Sequence, residues 1–156
     1  MTDKKEPVPV APSTYYYAVG RRKTASCRIR FYVLANEETV QVDGKTYTRG
    51  QIIVNEQPIE KYFSGETAQK LYLEPFRTTN TIGRFVVTAK CEGGGQFGQL
   101  EAFIHAVSRA LVKVEEEKNK PILRKRGFLT RDPRAKQRRK AGFAGKARKK
   151  KQSPKR

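Results

Sequence analysis

Half of the lysines and arginines in this chain fall in its last 37 residues: positions 120–156 carry 17 of the 34, against a single acid, Asp132. A segment this charged repels itself. Its apolar side chains, Ile122, Leu123, Phe128, Leu129, Phe143 and some alanines, are too few to offset the entropy of ordering it. The core must therefore come from residues 1–119, where 17 basic side chains nearly balance 14 acidic ones. Roughly 100 residues suffice for one core and leave no room for a second full-sized domain. The sequence thus predicts one small domain with a basic appendage from about 120 to 156, which excludes a large multidomain enzyme. The formal net charge of the whole chain, +19, points to a polyanionic partner.

Residues 1–14, with Pro7, Pro9 and Pro12, read as a flexible lead-in. From Ala25 to Val33 the chain alternates, with Ala25, Cys27, Ile29, Phe31 and Val33 on one side and Ser26, Arg28, Arg30 and Tyr32 on the other. That is the period of a half-buried strand with a cationic outer face. Thr39–Val42 and Thr46–Thr48 flank Asp43-Gly44, the dipeptide of a type I′ hairpin, and lead into an extended stretch at Gln51–Asn55. Ile59–Phe63 and Thr67–Leu73 read as short helices, the second ending before Pro75. Arg84–Glu92 alternates again, with Phe85, Val87, Ala89 and Cys91 inward.

After three glycines, Leu100, Phe103, Ile104, Val107, Leu111 and Val114 form one apolar helical stripe that reaches about Lys118. Ala102, Ala106, Arg109 and Lys113 lie off it, a small-residue face with cations that a nucleic-acid backbone could approach. Together these elements predict an α+β domain over about 15–119: a mixed four-stranded sheet with helices on one face and a hairpin near 35–50.

Several motifs have a chemical and a plain reading. Gly93, Gly95 and Gly98 spell GxGxxG, yet the second strand and ribose-binding acid of a dinucleotide unit are missing. Neither nicotinamide, flavin nor any other cofactor is expected. Glycines at a helix start also expose N–H groups that favour an anion such as an RNA phosphate, or merely permit a tight turn. His105, the only histidine, has no acid and nucleophile arranged around it for catalysis and reads as a surface or RNA-facing residue. The three aspartates, Asp3, Asp43 and Asp132, do not suggest a metal site. Cys27 and Cys91 lack CxxC spacing and read as reduced packing residues.

Arg21, Arg22 and Lys23 run into the strand bearing Arg28 and Arg30, just after Tyr15, Tyr16 and Tyr17. Cations beside aromatics suit RNA backbone and base stacking, although charge also protects a bare strand edge. No stretch reaches the ~18 apolar residues of a membrane span, and the N-terminus lacks the apolar core of a signal peptide. A soluble, cytoplasmic, non-enzymatic RNA-binding protein is expected.

Four blocks carry a family resemblance: YYAVGRRKTAS (16–26), VNEQPIEKYF (54–63), GGGQFGQLEAFIHAVSRAL (93–111) and LTRDPR (129–134), followed by RRK, KARK and a terminal Lys-Arg. Together they resemble the universal family of small-subunit ribosomal protein nine. The resemblance implies a left-handed β-α-β domain like the second domain of ribosomal protein five, seated in the head of the small subunit beside other head proteins. It also implies rRNA as main ligand and a C-terminal tail reaching toward peptidyl-site tRNA.

By position, Arg21, Arg22 and Lys23 match the basic strand entry, and Arg131, Arg134, Arg138, Arg139, Lys140, Arg148 and Lys149 match the rRNA-threading tail, with Lys146 opening the KARK block. Lys155 and Arg156 match the tip that contacts tRNA, with Pro154 a departure from the usual bacterial ending. To these the residue pattern adds Arg28, Arg30, Gly93, Gly94, Gly95 and Arg109 as rRNA contacts. Two other classes use the same features: a free nucleic-acid chaperone acting through the tail, and a nucleotide-binding enzyme using the glycine turn.

Overall fold

A computed structural model describes residues 15–34, 39–139 and 141–142. The lead-in at 1–14 and most of the segment beyond 139 lie outside the described residues. The strands are β1 (Tyr15–Arg22), β2 (Ala25–Val33), β3 (Thr39–Val42), β4 (Lys45–Thr48), β5 (Ile52–Val54), β6 (Gln57–Pro58) and β7 (Phe85–Glu92). The helices are α1 (Ile59–Tyr62), α2 (Glu66–Thr78), α3 (Gln96–Val114) and α4 (Glu116–Lys125).

The main sheet has five strands rather than four, in the order β1-β2-β7-β5-β6. The additional strand is the two-residue β6, folded back antiparallel on β5. β1, β2 and β7 are antiparallel neighbours, and β5 joins β7 in parallel, so the sheet is mixed as expected. Its inner face carries Ala18, Cys27, Ile29, Phe31, Val54, Val87 and Ala89, packed against Tyr72 and Phe76 of α2, Leu100, Phe103, Val107 and Leu111 of α3, and Leu123 of α4. Phe31 lies between two rings, stacked on Phe76 at 6.0 Å and tilted against Phe85 at 5.3 Å.

The hairpin β3–β4 turns at Asp43 and Gly44 with φ of 50° and 77°, as a type I′ turn requires. It forms a separate ribbon. Its Val40 and Val42, with Leu34 and the half-buried Tyr47, pack on Tyr32 and Val86 to make a second small core. One end of the sheet is therefore covered on both faces. This reverses the expectation for the end of β2: Tyr32 is buried, while Val33 is exposed.

Three helix boundaries differ from the sequence reading. Pro75 lies within α2, which continues to Thr78. Proline forgoes one helical hydrogen bond, but here the ring is fully buried and the next residue, Phe76, belongs to the core. α3 stops at Val114, because Glu115 adopts φ −140°, and a new helix begins. α4 crosses the boundary drawn at 119/120. Its Asn119 donates to the Leu111 carbonyl at 2.8 Å, and Leu123 is fully buried. Gly127, with φ 77°, closes α4: its N–H bonds Arg124 O at 3.0 Å and that of Phe128 bonds Leu123 O at 3.1 Å. This paired capping pattern calls for a left-handed residue at that position. It turns the chain so that Phe128 and Leu129 pack on the core.

Candidate nucleic-acid interface

Strand parity decides what each cation of the first cluster meets. Ala18 and Gly20 face α3, and so does Arg22, two residues on. Arg21 and Lys23 are exposed, whereas Arg22 is only 8% exposed. The Arg22 Nε donates to Glu101 Oε2 at 2.7 Å, its NH2 lies 3.2 Å from Asp132 Oδ2, and its NH1 donates to the Arg134 carbonyl at 2.6 Å. Arg134 in turn bonds Asp132 through Nε, NH2 and its backbone N–H. Those bonds hold the Asp132 carboxyl well below the usual carboxylate range. Arg22 is thus committed within the protein.

The outer sheet face beyond the hairpin is open. Register places Tyr17, Arg30 and Thr88 in one row, Val19, Arg28 and Lys90 in the next, and Arg21, Ser26 and Glu92 in a third. Arg30 sits over the Tyr15 ring, 5.4 Å from its centre, and reaches toward Asp43 at 4.0 Å. Arg28 pairs with Glu92 at 2.9 Å. Both pairs are exposed and weak in water, so these cations can exchange their partners for phosphates. Tyr16, the middle tyrosine, packs against the core instead.

The small face of α3 does not wait for nucleic acid, contrary to the sequence expectation. Ala102 and Ala106 are fully buried because Gly20 of β1 brings its backbone against theirs; a Cβ there would lie 2.5 Å from Ala106 N. Arg109 NH1 and Lys113 Nζ, at the rim of that contact, donate to the Val19 and Tyr17 carbonyls at 2.6 Å each. They cap the bare edge of β1. Arg109 remains exposed at the surface.

His105 is half-buried rather than displayed, and its Nδ1 is buried without a partner among the described residues. Burial lowers its pKa and the Arg109 and Arg131 charges add to this, against an opposing influence of the Leu129 backbone. Cys27 and Cys91 are register partners on β2 and β7, both free and buried. Their sulfurs lie 2.6 Å apart, and the hydrogen bond from Cys91, then burial, pushes the Cys27 thiol up.

The glycine turn joins β7 to α3. Gly93 and Gly94 have φ of 73° and 62° and lie close against Thr24 of the β1–β2 turn and Ala25 at the start of β2, where a Cβ on Gly93 would be 2.6 Å from Thr24 O. Gly95 is the helix cap, has no neighbour within 4 Å of a Cβ, and no side chain caps α3. The first-turn N–H groups of α3 thus start at an open surface, next to the β1–β2 turn that carries the exposed Lys23.

The turn is braced from behind. The Asn55 side chain pairs with the backbone of Cys91 at 2.8 and 2.9 Å and donates to Tyr62 OH, which donates to Gln99 Oε1 at 2.7 Å, while Gln99 Nε2 bonds Gly93 O. This gives the VNEQPIEKYF block its local purpose. Phe97, in the first turn of α3, is 73% exposed. Sequence reasoning passed over it: three and seven residues before Leu100 and Ile104, it sits in phase with the apolar stripe, and only the fold shows that nothing covers it.

Arg131, Arg134, Arg138 and Arg139 are exposed. Lys140, Lys146, Arg148, Lys149, Lys155 and Arg156 lie outside the described residues. Among the described residues no helix is long and apolar enough to cross a membrane, and no cluster of His, Cys, Asp or Glu could hold a metal ion.

The profile of the family described as ribosomal protein S9/S16 matches residues 20–156. The chain belongs to that family. One relative, the small ribosomal subunit protein uS9 of Maridesulfovibrio salexigens, is 41% identical over 131 residues, covering 84% of this chain and 89% of its own length. The ribosomal S9/S16 match takes in both the packed domain and the whole basic segment, including the cations beyond residue 139.

Proposed function

We propose that this chain is a non-catalytic structural constituent of the small ribosomal subunit, seated in its head and bound to rRNA and neighbouring head proteins. The observation that carries this is the family match running through the basic segment, where cations outnumber acids 17 to 1. On this reading the packed body is a left-handed β-α-β domain of the kind found in ribosomal protein five. It meets rRNA by the open sheet face, through Arg28 and Arg30, and by the glycine turn, where Arg21, Lys23 and the N–H groups of α3 receive phosphate. Phe97 offers a ring for an unpaired base. Arg131, Arg134, Arg138, Arg139, Lys140, Lys146, Arg148 and Lys149 thread between RNA helices, and Lys155 and Arg156 reach the peptidyl-site tRNA. Extended at ~3.3 Å per residue, the segment from Ala135 to Arg156, beyond the last described contact with the body, can span on the order of 70 Å.

Sedimentation of a native lysate through a high-salt sucrose gradient tests the assignment. The chain is expected to co-migrate stoichiometrically with the small subunit, and its loss to the top of the gradient would overturn the reading in favour of a free nucleic-acid binder. The tip is tested separately by deleting Lys155 and Arg156. Subunits should still assemble and hold peptidyl-site tRNA less tightly; unchanged tRNA affinity across several salt concentrations refutes the tip contact.

A further inference from the structure

We infer that Arg22, Glu101 and Asp132 form a clamp that aims the basic segment as it leaves the body, making Arg22 a positioning residue that acts on protein, not a phosphate contact. Three elements meet there. Arg22 ends β1, Glu101 lies in the second turn of α3, and Asp132 is the sole acid among residues 120–156. Arg22 directs separate nitrogens at the Glu101 carboxylate, the Asp132 carboxylate and the Arg134 carbonyl, at 2.7, 3.2 and 2.6 Å. Its side chain is about 10% exposed, while Glu101 and Asp132 remain 50% and 31% exposed, so an incoming phosphate would have to displace bonds already made to reach it. Charge-assisted, multidentate contacts of this kind fix geometry as well as adding stability.

The clamp is the last of three successive restraints on the exit. Gly127 turns the chain, Leu129 packs on the core, and Asp132 is tied to Arg22. Pro133 follows, with its backbone angle already restricted. Beyond it, Ala135–Arg139 carry no regular structure and are exposed. A polycation released from a fixed point and direction has fewer arrangements to lose on threading than one hinged at Lys125. Preorganisation of this sort raises affinity without adding a contact. An acid in a cationic tail otherwise opposes RNA binding, so its presence calls for an intramolecular task.

This inference rests on the rRNA-binding reading for its second readout but not for its first. Amide exchange is measured on the full-length protein as wild type, Asp132→Asn and Arg22→Lys, both of which keep side-chain size nearly unchanged. The Arg134 amide, which donates to Asp132 Oδ1 at 2.9 Å, should exchange about tenfold faster in either variant, with β2 and β7 unchanged as proof of folding. Refolded small-subunit rRNA is then titrated at several salt concentrations.

Asp132→Asn adds one positive charge, so electrostatics alone makes it bind more tightly; the clamp makes it bind several-fold more weakly with an unchanged salt slope. Equal exchange in all three proteins overturns the clamp. Faster exchange with equal or tighter rRNA binding overturns its aiming role. Wild type that fails to bind rRNA refutes the functional reading while leaving the exchange result standing.

Discussion

Gly20 offers the sharpest test of how the body is packed. Its Cα stands where β1 crosses α3, and a Cβ there would overlap the Ala102 carbonyl oxygen and approach Ala106 N to 2.5 Å. Both atoms are helix backbone, which no rotamer change can move aside. Gly20→Ala must lift α3 off β1, loosening the buried Ala102 and Ala106 and stretching the bonds from Arg109 and Lys113 to the strand edge. Overpacking costs about 1–3 kcal/mol where side chains can adjust; with backbone on both sides, about 3 kcal/mol is expected. At about 4 °C per kcal/mol for a body of this size, Tm falls by about 12 °C.

Gly98→Ala supplies the opposite sign from the same helix. A Cβ there finds only ordinary contact, 3.5 Å from the Ala25 Cβ, and alanine is favoured over glycine inside a helix by about 0.5–1 kcal/mol. Thermal unfolding followed by circular dichroism reads both. A Gly20→Ala protein melting within about 2 °C of wild type would refute the close-approach argument.

Three further outcomes follow from other parts of the structure. Leu123→Ala should cost about 2–5 kcal/mol in denaturant unfolding, because the side chain is fully buried under α3; a loss below about 0.5 kcal/mol, the range of surface substitutions, would exclude α4 from the cooperative body. His105 has a folded pKa below its unfolded value of about 6.5, so the unfolded chain takes up the proton first and stability falls as pH drops through that region. The Tm of wild type should drop more between about pH 7 and pH 5 than that of His105→Gln, and identical pH profiles would refute the burial argument. Arg21→Gln and Lys23→Gln should each reduce the slope of log affinity for rRNA against log salt by about 0.9, while Arg22→Gln leaves it unchanged; a reduced slope for Arg22→Gln would show that its charge meets phosphate.

The sequence announced those elements whose pattern needs only one neighbour. The alternation of β2 as far as Phe31, the Asp43-Gly44 turn with both φ positive and the apolar stripe of α3 each follow from local spacing, and all stand in the fold. The failures need a second partner to be known. Tyr32 and Val86 read as outward residues until the hairpin covers that face. Pro75 reads as a stop until the burial of Phe76 outweighs its missing donor. Ala102 and Ala106 announce a close approach without saying to what, and Gly20, eighty residues earlier, holds the answer. In the run Arg21-Arg22-Lys23 the three charges look alike. Only strand parity with Ala18 and Gly20, and a lone acid in the basic segment, distinguish the middle one.

The sheet order has a consequence for the time course of folding. β2 pairs with β7, and the face they share with β1 is closed by α3, so the main core is stitched together by residues fifty to ninety positions apart. Non-local pairing of this kind is slow to nucleate. On a chain elongating at about 5–20 residues per second, the β1–β2 hairpin waits on the order of 5–15 s before β7 and α3 exist to cover it. Only afterwards does the segment holding 17 of the 34 cations emerge. The nascent chain therefore has β1, β2, β7 and α3 in hand before its polycation, and Leu123, Phe128 and then Asp132 arrive at a body whose main elements are already made.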